Sequence, residues 1–266
     1  MFYIDLGKIG YFCKKKDRMD SMKNRRTVRA YASDPIDDAL LNTLFQVAAR
    51  GASTGNMQAY CVIVTRDSDK KKELAPAHFN QKQVLEAPVV LTICVDLNRV
   101  SKWCTLRKAQ PGFDNVQALT FASIDATIFA QNFCVAAEAH GLGLCYLGTT
   151  TYNAGKIIDV LNLPELVLPI TTLSVGYPKA VVDTPLSDRL PLDGIVHSET
   201  YHSFDSEALE KLYALKEGLE ESKKFLEINQ KETLAQIYTD IRYKKADNEF
   251  FSGAWIEAIK RQGFLK

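Results

Sequence analysis

The stretch ALTFASIDATIFAQNFCVAAEAH, residues 118–140, is a long apolar segment that ends at Gly141. It is too often interrupted by polar residues to be a membrane span. A helix that is apolar on nearly every side is typical of the interior of a protein rather than its surface. The segment therefore predicts a helix buried in the middle of the fold. The interrupting residues are Ser123, Asp125, Gln131, Asn132 and Glu138.

Three strands are predicted around this helix. AYCVIVTRD (59–67) is rich in β-branched residues, and APVVLTICVD (87–96) is typical of a buried strand. LPITTLSVGYP (168–178) predicts a third strand, which Gly176 and Pro178 end. Between the first two strands, the charged segment 70–86 predicts a helical connection.

The other segments predict helices. DPIDDALLNTLFQVAARG (34–51) has Asp34 as a candidate N-cap, Pro35 in the first turn and Gly51 as its end. A short helix is expected over residues 153–161. Beyond Ser206 the composition shifts to Glu, Lys and Leu, which indicates helix to about residue 246, and a last amphipathic helix is predicted over 248–264.

Composition and charge exclude several classes of protein. A chain of 266 residues with 46% hydrophobic and 24% charged residues is typical of a globular protein. The 33 basic and 32 acidic residues argue against a protein that binds nucleic acid or membranes over its whole surface. We find no secretory signal and expect a cytoplasmic protein. The six cysteines show no Cys-x-x-Cys pair, so we expect reduced thiols and no metal site.

The segment NRRTVRAY (24–31) places three arginines close together. Arg25, Arg26 and Arg29 would span one turn of a helix and converge on one point. Guanidinium groups bind a phosphate with two hydrogen bonds, and Thr27 adds a hydroxyl donor. The alternative is a solvated basic face that continues the lysines at 14–16, and taken alone this segment favours it.

The loop RGASTGNMQAY (50–60) joins a predicted helix to a predicted strand. It carries four short hydrogen-bonding side chains, where a tight turn needs none: Ser53, Thr54, Asn56 and Gln58. Such a loop can wrap a flat heterocycle. A plain connecting loop is an equally good interpretation of this loop taken alone.

Other motifs are absent or misplaced. GLGLCY (141–146) lacks a third glycine and follows a helix, whereas a dinucleotide fingerprint follows a strand and opens a helix. The sequence contains no phosphate-binding GxxxxGK[ST] loop, no GxSxG motif and no Ser-His-Asp arrangement. Hydrolase and phosphoryl-transfer activities are therefore poorly supported.

The order of these motifs is more specific than any one of them. RRTVRAY is followed by ASTGNMQ, a strand, the buried helix, GLGLCYLGTTTYN (141–153), LSVGYP (173–178) and SDRLPLDGIVHSETY (187–201). This order resembles the nitroreductase superfamily of FMN-dependent enzymes, in particular its NADPH nitroreductase and flavin reductase branch with a long helical C-terminus. The resemblance runs from about Lys23 to Gly263.

The resemblance implies a fold and an organisation. The expected fold is α+β, with a central, mostly antiparallel sheet flanked by helices. Residues 1–22 would be a flexible N-terminal extension, with Met1, Met19 and Met22 as alternative starts. Residues 23–266 would be a single FMN-binding domain with a helical extension from about residue 205. The family is dimeric with flavins at the subunit interface, so the apolar helix and the C-terminal arm would contact a partner subunit.

The resemblance also assigns cofactor-binding residues, and no catalytic side chain, because the chemistry is centred on the flavin. The phosphate and ribityl chain would contact Arg25, Arg26, Thr27 and Arg29, and the small-residue loop would add Ser53, Thr54, Asn56 and Gln58. The pyrimidine edge of the ring would meet Gln81, Lys82 and Gln83. The reactive face would lie under Tyr146, Leu147, Gly148 and Thr149, and Arg189 would close the phosphate site.

Two departures from the family pattern concern specificity. The branch often has an arginine after the glycine of YLG, where this chain reads TTTYN (149–153). It also often has a lysine where this chain has Ser187. The first departure leaves substrate range and the choice between NADPH and NADH open, and the second weakens the phosphate site slightly.

The implied function is reduction of nitroaromatics, quinones or free flavin by NADPH or NADH through FMN, in a ping-pong hydride transfer. The alternative within the superfamily is a reductive dehalogenase or an enoyl-type reductase. The alternative outside enzymes is a nucleic-acid-binding module using the basic N-terminus, since residues 1–29 carry nine basic and three acidic residues. That stretch lacks interleaved aromatic residues, so we rank this alternative low and expect neither nucleic acid nor membrane as a partner.

Overall fold

The computed structural model describes residues 22–180 and 186–266. These residues form two compact units, one from the chain before Pro185 together with Ala254–Lys266, and the other from Pro185–Gly253. The predicted N-terminal extension, residues 1–22, lies outside the described residues except for Met22.

A four-stranded antiparallel sheet forms the centre of the first unit. Its strands are β1 (Tyr60–Thr65), β2 (Val89–Asp96), β3 (Gly143–Leu147) and β4 (Val167–Gly176), in the order β1-β2-β4-β3. The α+β prediction and the three predicted strands are confirmed, and β3 is a fourth strand that we did not assign. All eight residues of β2 are buried, because β2 lies between two neighbours and carries side chains packed on both faces.

Helices surround this sheet. Those of the first unit are α1 (Asp38–Ala48), α2 (Ser68–Leu74), α3 (Lys82–Glu86), α4 (Leu97–Leu106), α5 (Val116–Ala139) and α6 (Ala154–Val160). Single 3-10 turns occur at Thr54–Asn56 and Ala75–His78. The helical connection between β1 and β2 is confirmed, whereas α4 was not predicted.

The start of α1 differs from the prediction. Its N-cap is Asp37, whose carboxylate accepts from the backbone N–H groups of Ala39 and Leu40 at 2.7 and 3.2 Å. The predicted cap, Asp34, and Pro35 therefore precede the helix. Two acidic candidates three residues apart compete for the same role, and only the hydrogen bonds to the helix N-terminus distinguish them.

Helix α5 is the core helix of the unit, and it packs on α1 and the sheet. By length and composition it could cross a membrane, but half of its most apolar window is buried inside the protein. Its packing on α1 and on the sheet makes α5 a core helix of this unit. The predicted central helix is confirmed, although one face of it is open in the single chain: Val116 is 50% exposed and Ile124 is 53% exposed.

The second unit is mainly helical, as predicted. It contains a 3-10 turn at Leu192–Gly194, helices α7 (Ser206–Glu217), α8 (Glu220–Asn229) and α9 (Leu234–Gln236), and a π-helical turn at Ile237–Arg242. The last helix, α10 (Lys245–Arg261), begins three residues before its predicted start, and its residues from Ala254 belong to the first unit.

Candidate functional site

The arginine segment contacts β3 and the residues just after β4 through its backbone. The Val28 backbone N–H donates to the carbonyl oxygen of Leu144 at 3.0 Å, and Tyr31 forms a bridge with Pro178. Gly143 permits this approach, since a Cβ there would lie 2.4 Å from Cγ2 of Val28. The prediction that the arginines span one helical turn is therefore wrong, because residues 25–30 lie outside any helix and the Val28 N–H bonds to β3 instead.

Arg25 is bound to α5. Its Nε lies 3.2 Å from Oε1 of Glu138, and its Nη2 donates to Sγ of Cys134 at 3.6 Å. Burial raises the pKa of Glu138, and the charge of Arg25 opposes that shift. Sequence reasoning missed this pairing, although Glu138 stood out as a polar interruption of the apolar helix.

The other members of the arginine segment are more accessible. Arg29 is exposed; burial raises the pKa of the Cys145 thiol, and the Arg29 guanidinium opposes that shift. Arg26 is half-buried and donates to the carbonyl oxygen of Asn24 at 3.2 Å, while Thr27 is exposed. Burial raises the pKa of Tyr146, and the charge of Arg25 opposes that shift.

The end of β3 and the turn after it form the second predicted segment. Tyr146 is half-buried, its hydroxyl lies 3.4 Å from Oε1 of Gln131, and burial raises its pKa. Leu147 is buried, whereas Gly148 is exposed, and a Cβ at Gly148 would have no neighbour within 4 Å. The backbone of the turn is therefore open at Gly148.

His78 contacts this turn through a side-chain hydrogen bond. It was not among the site residues predicted from the sequence. Its Nδ1 lies 2.8 Å from Oγ1 of the buried Thr149. The ring is fully buried, its Nε2 has no hydrogen-bond partner, and burial lowers its pKa to about 4. A neutral imidazole therefore positions Thr149. No local sequence signal marks His78, because its partner lies 71 residues away.

The third predicted segment begins α3. Gln81 is the N-cap residue, Lys82 is exposed, and Gln83 is buried. The Gln83 side-chain amide donates to Oε1 of Gln81 at 2.8 Å. The two glutamines therefore orient one another, and the exposed ammonium of Lys82 lies between them in sequence.

One apolar cluster joins these three segments. It packs residues of the arginine segment against the region around α3 and against β3, through Val28, Tyr31, Ala75, Val84, Ala87, Val90, Cys145 and Leu147. The structure thus brings Arg25–Arg29, Gln81–Gln83 and Tyr146–Thr149 to the β3 side of the sheet.

The loop Ser53–Gln58 is held by Asp125 of α5. Oδ2 of Asp125 accepts from the Ser53 hydroxyl at 2.7 Å, and Oδ1 accepts from the Thr54 N–H and hydroxyl at 2.9 and 3.1 Å. Asp125 is only 1% exposed, so three donors compensate its buried charge. From the sequence, Asp125 was recognised only as a polar residue that interrupts the apolar helix. That interruption was the one sequence signal that could have identified Asp125 as the anchor of the loop.

The rest of this loop is organised by its own polar groups. The Gln58 amide donates to Oδ1 of Asn56 at 2.6 Å, and the Gln58 N–H donates to the Ser53 hydroxyl at 2.8 Å. Gly55, Asn56 and Gln58 have φ values of 57°, 54° and 48°. Such left-handed conformations are unusual for residues with side chains. The hydrogen bonds within the loop therefore hold a specific backbone conformation.

Two groups of predicted site residues, the Ser53–Gln58 loop and the arginine segment, contact α5 at different positions along its axis. The loop attaches at Asp125, and Arg25 attaches at Cys134 and Glu138. At 1.5 Å per residue these points lie roughly 14–20 Å apart along the helix. Within one chain, the loop is thus not held at the same place as the three β3-side segments.

The family model described as Nitroreductase family matches residues 22–177, which is more than half of the chain. The chain belongs to the nitroreductase family. The match covers all the predicted site residues except Arg189.

Relatives and solved structures agree with this membership. The crystal structure of a candidate oxidoreductase from Bacteroides fragilis NCTC 9343 has a TM-score of 0.90 at 53% identity, covering 93% of this chain and 100% of that one. A CR(VI) reductase from Pseudomonas sp. strain G-1 is 31% identical over 192 residues, 72% of this chain and 78% of the relative. An FMN reductase (NADPH) from Bacillus subtilis strain 168 is 30% identical over 186 residues, 69% and 74% of the two chains.

Arg189 belongs to the second unit of this nitroreductase. It is exposed, and its Nη1 donates to the carbonyl oxygens of Ser187 and Asp188 at 3.2 and 2.8 Å. Asp188 in turn lies 3.3 Å from the Lys216 ammonium. These contacts fix the local backbone around Arg189, and its place at a phosphate site stays a prediction.

The described residues hold no group of three or more His, Cys, Asp or Glu side chains that could bind a metal ion. The residues on the β3 side of the sheet carry positive charges and neutral hydrogen-bond donors. Arg29 and Lys82 are exposed cations, and Gln81 and Gln83 carry side-chain amides. Such a donor set suits an anionic organic cofactor.

Proposed function

We propose that this nitroreductase is an FMN-dependent oxidoreductase that takes electrons from NADPH or NADH and reduces nitroaromatics, quinones or free flavin. The observation that carries the proposal is the contact of the arginine segment with β3, the strand that leads into the exposed turn at Gly148. The names of two relatives, FMN reductase (NADPH) and CR(VI) reductase, support reduction through a flavin and add Cr(VI) as an acceptor to be tested.

The residues present fit FMN. The exposed guanidinium of Arg29 matches the planar, two-pronged recognition of a phosphate, with Arg26 and Thr27 beside it. Arg25 contributes less directly, because Glu138 and Cys134 already contact it. When bound, FMN supplies the hydride chemistry, and the protein supplies binding and orientation.

The glutamine pair and the Gly148 turn have complementary roles in this proposal. Gln81, Lys82 and Gln83 would donate to the pyrimidine edge, where donors fixed in advance stabilise negative charge. Gln83 is held by Gln81, so its donor needs no rearrangement. Tyr146, Leu147, Gly148 and Thr149 would cover the reactive face and offer backbone N–H groups, with Thr149 held by His78.

We further propose that the protein acts as a homodimer. The residues Val116, Thr120, Ile124, Thr127 and Gln131 of α5 are exposed, and their spacing of three and four residues puts them on one face. A second copy placed on this face would bury Val116 and Ile124 and could bring its Ser53–Gln58 loop to the β3-side segments. The spacing of the two groups along α5 supports this arrangement, in which each site uses both chains. We expect a cytoplasmic protein, as proposed from the sequence.

The test is the affinity of the flavin-stripped protein for FMN, measured by fluorescence titration at two salt concentrations. A charge-assisted hydrogen bond contributes roughly 1.5–3 kcal/mol, so Arg29→Ala should weaken binding about ten- to hundredfold. Arg29→Lys should recover only part of the loss, because an ammonium keeps the charge without the planar fork.

Lys179→Ala is the matched control. Lys179 is an exposed cation beside the same segment, and its backbone N–H donates to the Ala30 carbonyl at 3.1 Å. Its loss should reduce affinity slightly and mainly at low salt. Equal effects of Arg29→Ala and Lys179→Ala would show that the segment is only a solvated basic face.

A further inference from the structure

Two cysteines lie directly opposite each other on neighbouring strands. In the antiparallel pairing of β1 with β2, Cys61 faces Cys94, between the pairs Tyr60–Val95 and Val62–Ile93. Opposite residues of an antiparallel pair project to the same face of the sheet. The two thiols are therefore neighbours, and both contribute to one apolar cluster, Cys94 in its buried part and Cys61 at its edge.

The strand geometry permits a bond between them. The Asp96 N–H donates to the Ala59 carbonyl at 3.0 Å, and hydrogen-bonded and non-hydrogen-bonded pairs alternate along the ladder. Cys61 and Cys94 are then a hydrogen-bonded pair, whose Cα atoms lie about 5.5 Å apart. Disulfides span Cα distances of about 4.4–6.8 Å. Because Cβ atoms in such pairs are farther apart than a relaxed disulfide prefers, the bond would form under strain and be easily reduced.

The chemical environment distinguishes the two thiols. The neighbouring Cys94 thiol lowers the pKa of Cys61 and outweighs burial, with Arg99 acting in the same direction and Asp96 against it. The neighbouring Cys61 and burial both raise the pKa of Cys94. Burial raises the pKa of Cys134 and of Cys145 as well. Cys61 is thus the thiol of this pair that ionises first, and it is partly accessible to solvent.

We propose that Cys61 and Cys94 form an oxidation site, at which a hydroperoxide converts the dithiol into a reversible disulfide. The Cys61 thiolate attacks the peroxide, an S–O bond forms as the O–O bond breaks, and protonation of the departing oxygen releases water or an alcohol. The sulfur of Cys94 then attacks the Cys61 sulfenic acid, the S–S bond forms, and the proton of Cys94 leaves with the hydroxyl group as water. The two thiols lose two electrons, and a low-molecular-weight dithiol returns them.

The experiment oxidises the full-length protein with hydrogen peroxide, blocks remaining thiols by alkylation and maps the peptides by mass spectrometry. We expect a cross-link between the peptides of Cys61 and Cys94 that disappears after treatment with dithiothreitol. Cys61→Ser should abolish it. Cys94→Ala should leave a sulfenic acid on Cys61 that dimedone traps, which tests the order of the two steps even if the core variant is less stable.

Cys104→Ser is the matched control, because Cys104 is half-buried against the same cluster but lies on α4. It should leave the cross-link unchanged. A cross-link between Cys61 and Cys104, direct over-oxidation of Cys61 in the wild type, or a cross-link that forms only after circular dichroism shows unfolding would each overturn the proposal. Because the assay does not involve FMN, its outcome is independent of the proposed enzymatic function.

Discussion

The buried His78 should make the stability of this protein depend on pH in a specific window. Its ring is fully buried, its Nδ1 contacts Thr149 at 2.8 Å, and burial lowers its pKa from 6.5 to about 4. Unfolding exposes the imidazole and returns the pKa to its ordinary value. Between these two values, the unfolded chain therefore binds a proton that the folded chain does not.

The sign and size of the effect follow from this difference. Because the unfolded state binds more protons, the free energy of unfolding falls as the pH decreases from 6.5 toward 4, and the stabilisation is complete above 6.5. The whole shift corresponds to about 3 kcal/mol. Between about pH 7.5 and pH 5 the group should account for about 2 kcal/mol of lost stability.

The perturbation is His78→Asn, which keeps a polar group near Thr149 but removes the titrating ring. Urea unfolding at one fixed protein concentration, at about pH 7.5 and pH 5, should show that the wild type loses about 2 kcal/mol more than the variant. Other titrating groups, such as Glu138, are common to both proteins and cancel. His140→Asn removes an exposed histidine and should behave as the wild type does. Parallel pH dependences for the wild type and His78→Asn would refute the reasoning.

Three further predictions concern the loop, the strand contact and the dimer. Asp125→Asn should destabilise the protein by roughly 1.5–3 kcal/mol in urea unfolding, since the loop loses its charge-assisted acceptors. Hydrogen exchange at Ser53–Gln58 should become faster, and unchanged exchange would show that Asp125 does not hold the loop. Gly143→Ala should destabilise by roughly 1–3 kcal/mol, because its Cβ would lie 2.4 Å from the Val28 side chain; Val28→Ala should partly rescue it, and no rescue would locate the strain elsewhere. Ile124→Glu should shift sedimentation toward monomer, and a dimer of wild-type stability would exclude this face as the interface.

The type of most elements could be predicted from the sequence. The β-branched runs at β1, β2 and β4 and the length of α5 are local signals, because side-chain periodicity and helix or strand propensity act within a few residues. The motif order also led to the correct family, since each motif has a fixed place along the chain. The ends of α1 were less well predicted: it ends at Ala48, ahead of Gly51, and it is capped by Asp37 rather than Asp34, because the two are equally good caps as isolated residues.

The tertiary structure decided which polar groups satisfy one another. Arg25 contacts Glu138 across 113 residues of sequence, Asp125 holds a loop 71 and 72 residues away, and His78 meets Thr149 across 71 residues. No local pattern encodes such pairs, because they arise only when the sheet brings its strands together. The same is true of the contact between Val28 and Leu144 that joins the arginine segment to β3.

The exposed face of α5 is the clearest example of a feature that the sequence alone does not determine. The sequence determined that residues 118–140 form a long apolar helix, because nearly every position favours burial. It could not determine which side of that helix the sheet and α1 cover, since apolar residues point in all directions. Only the tertiary structure decided that Phe133 is buried while Ile124 is exposed, because the core has room for one face of the helix.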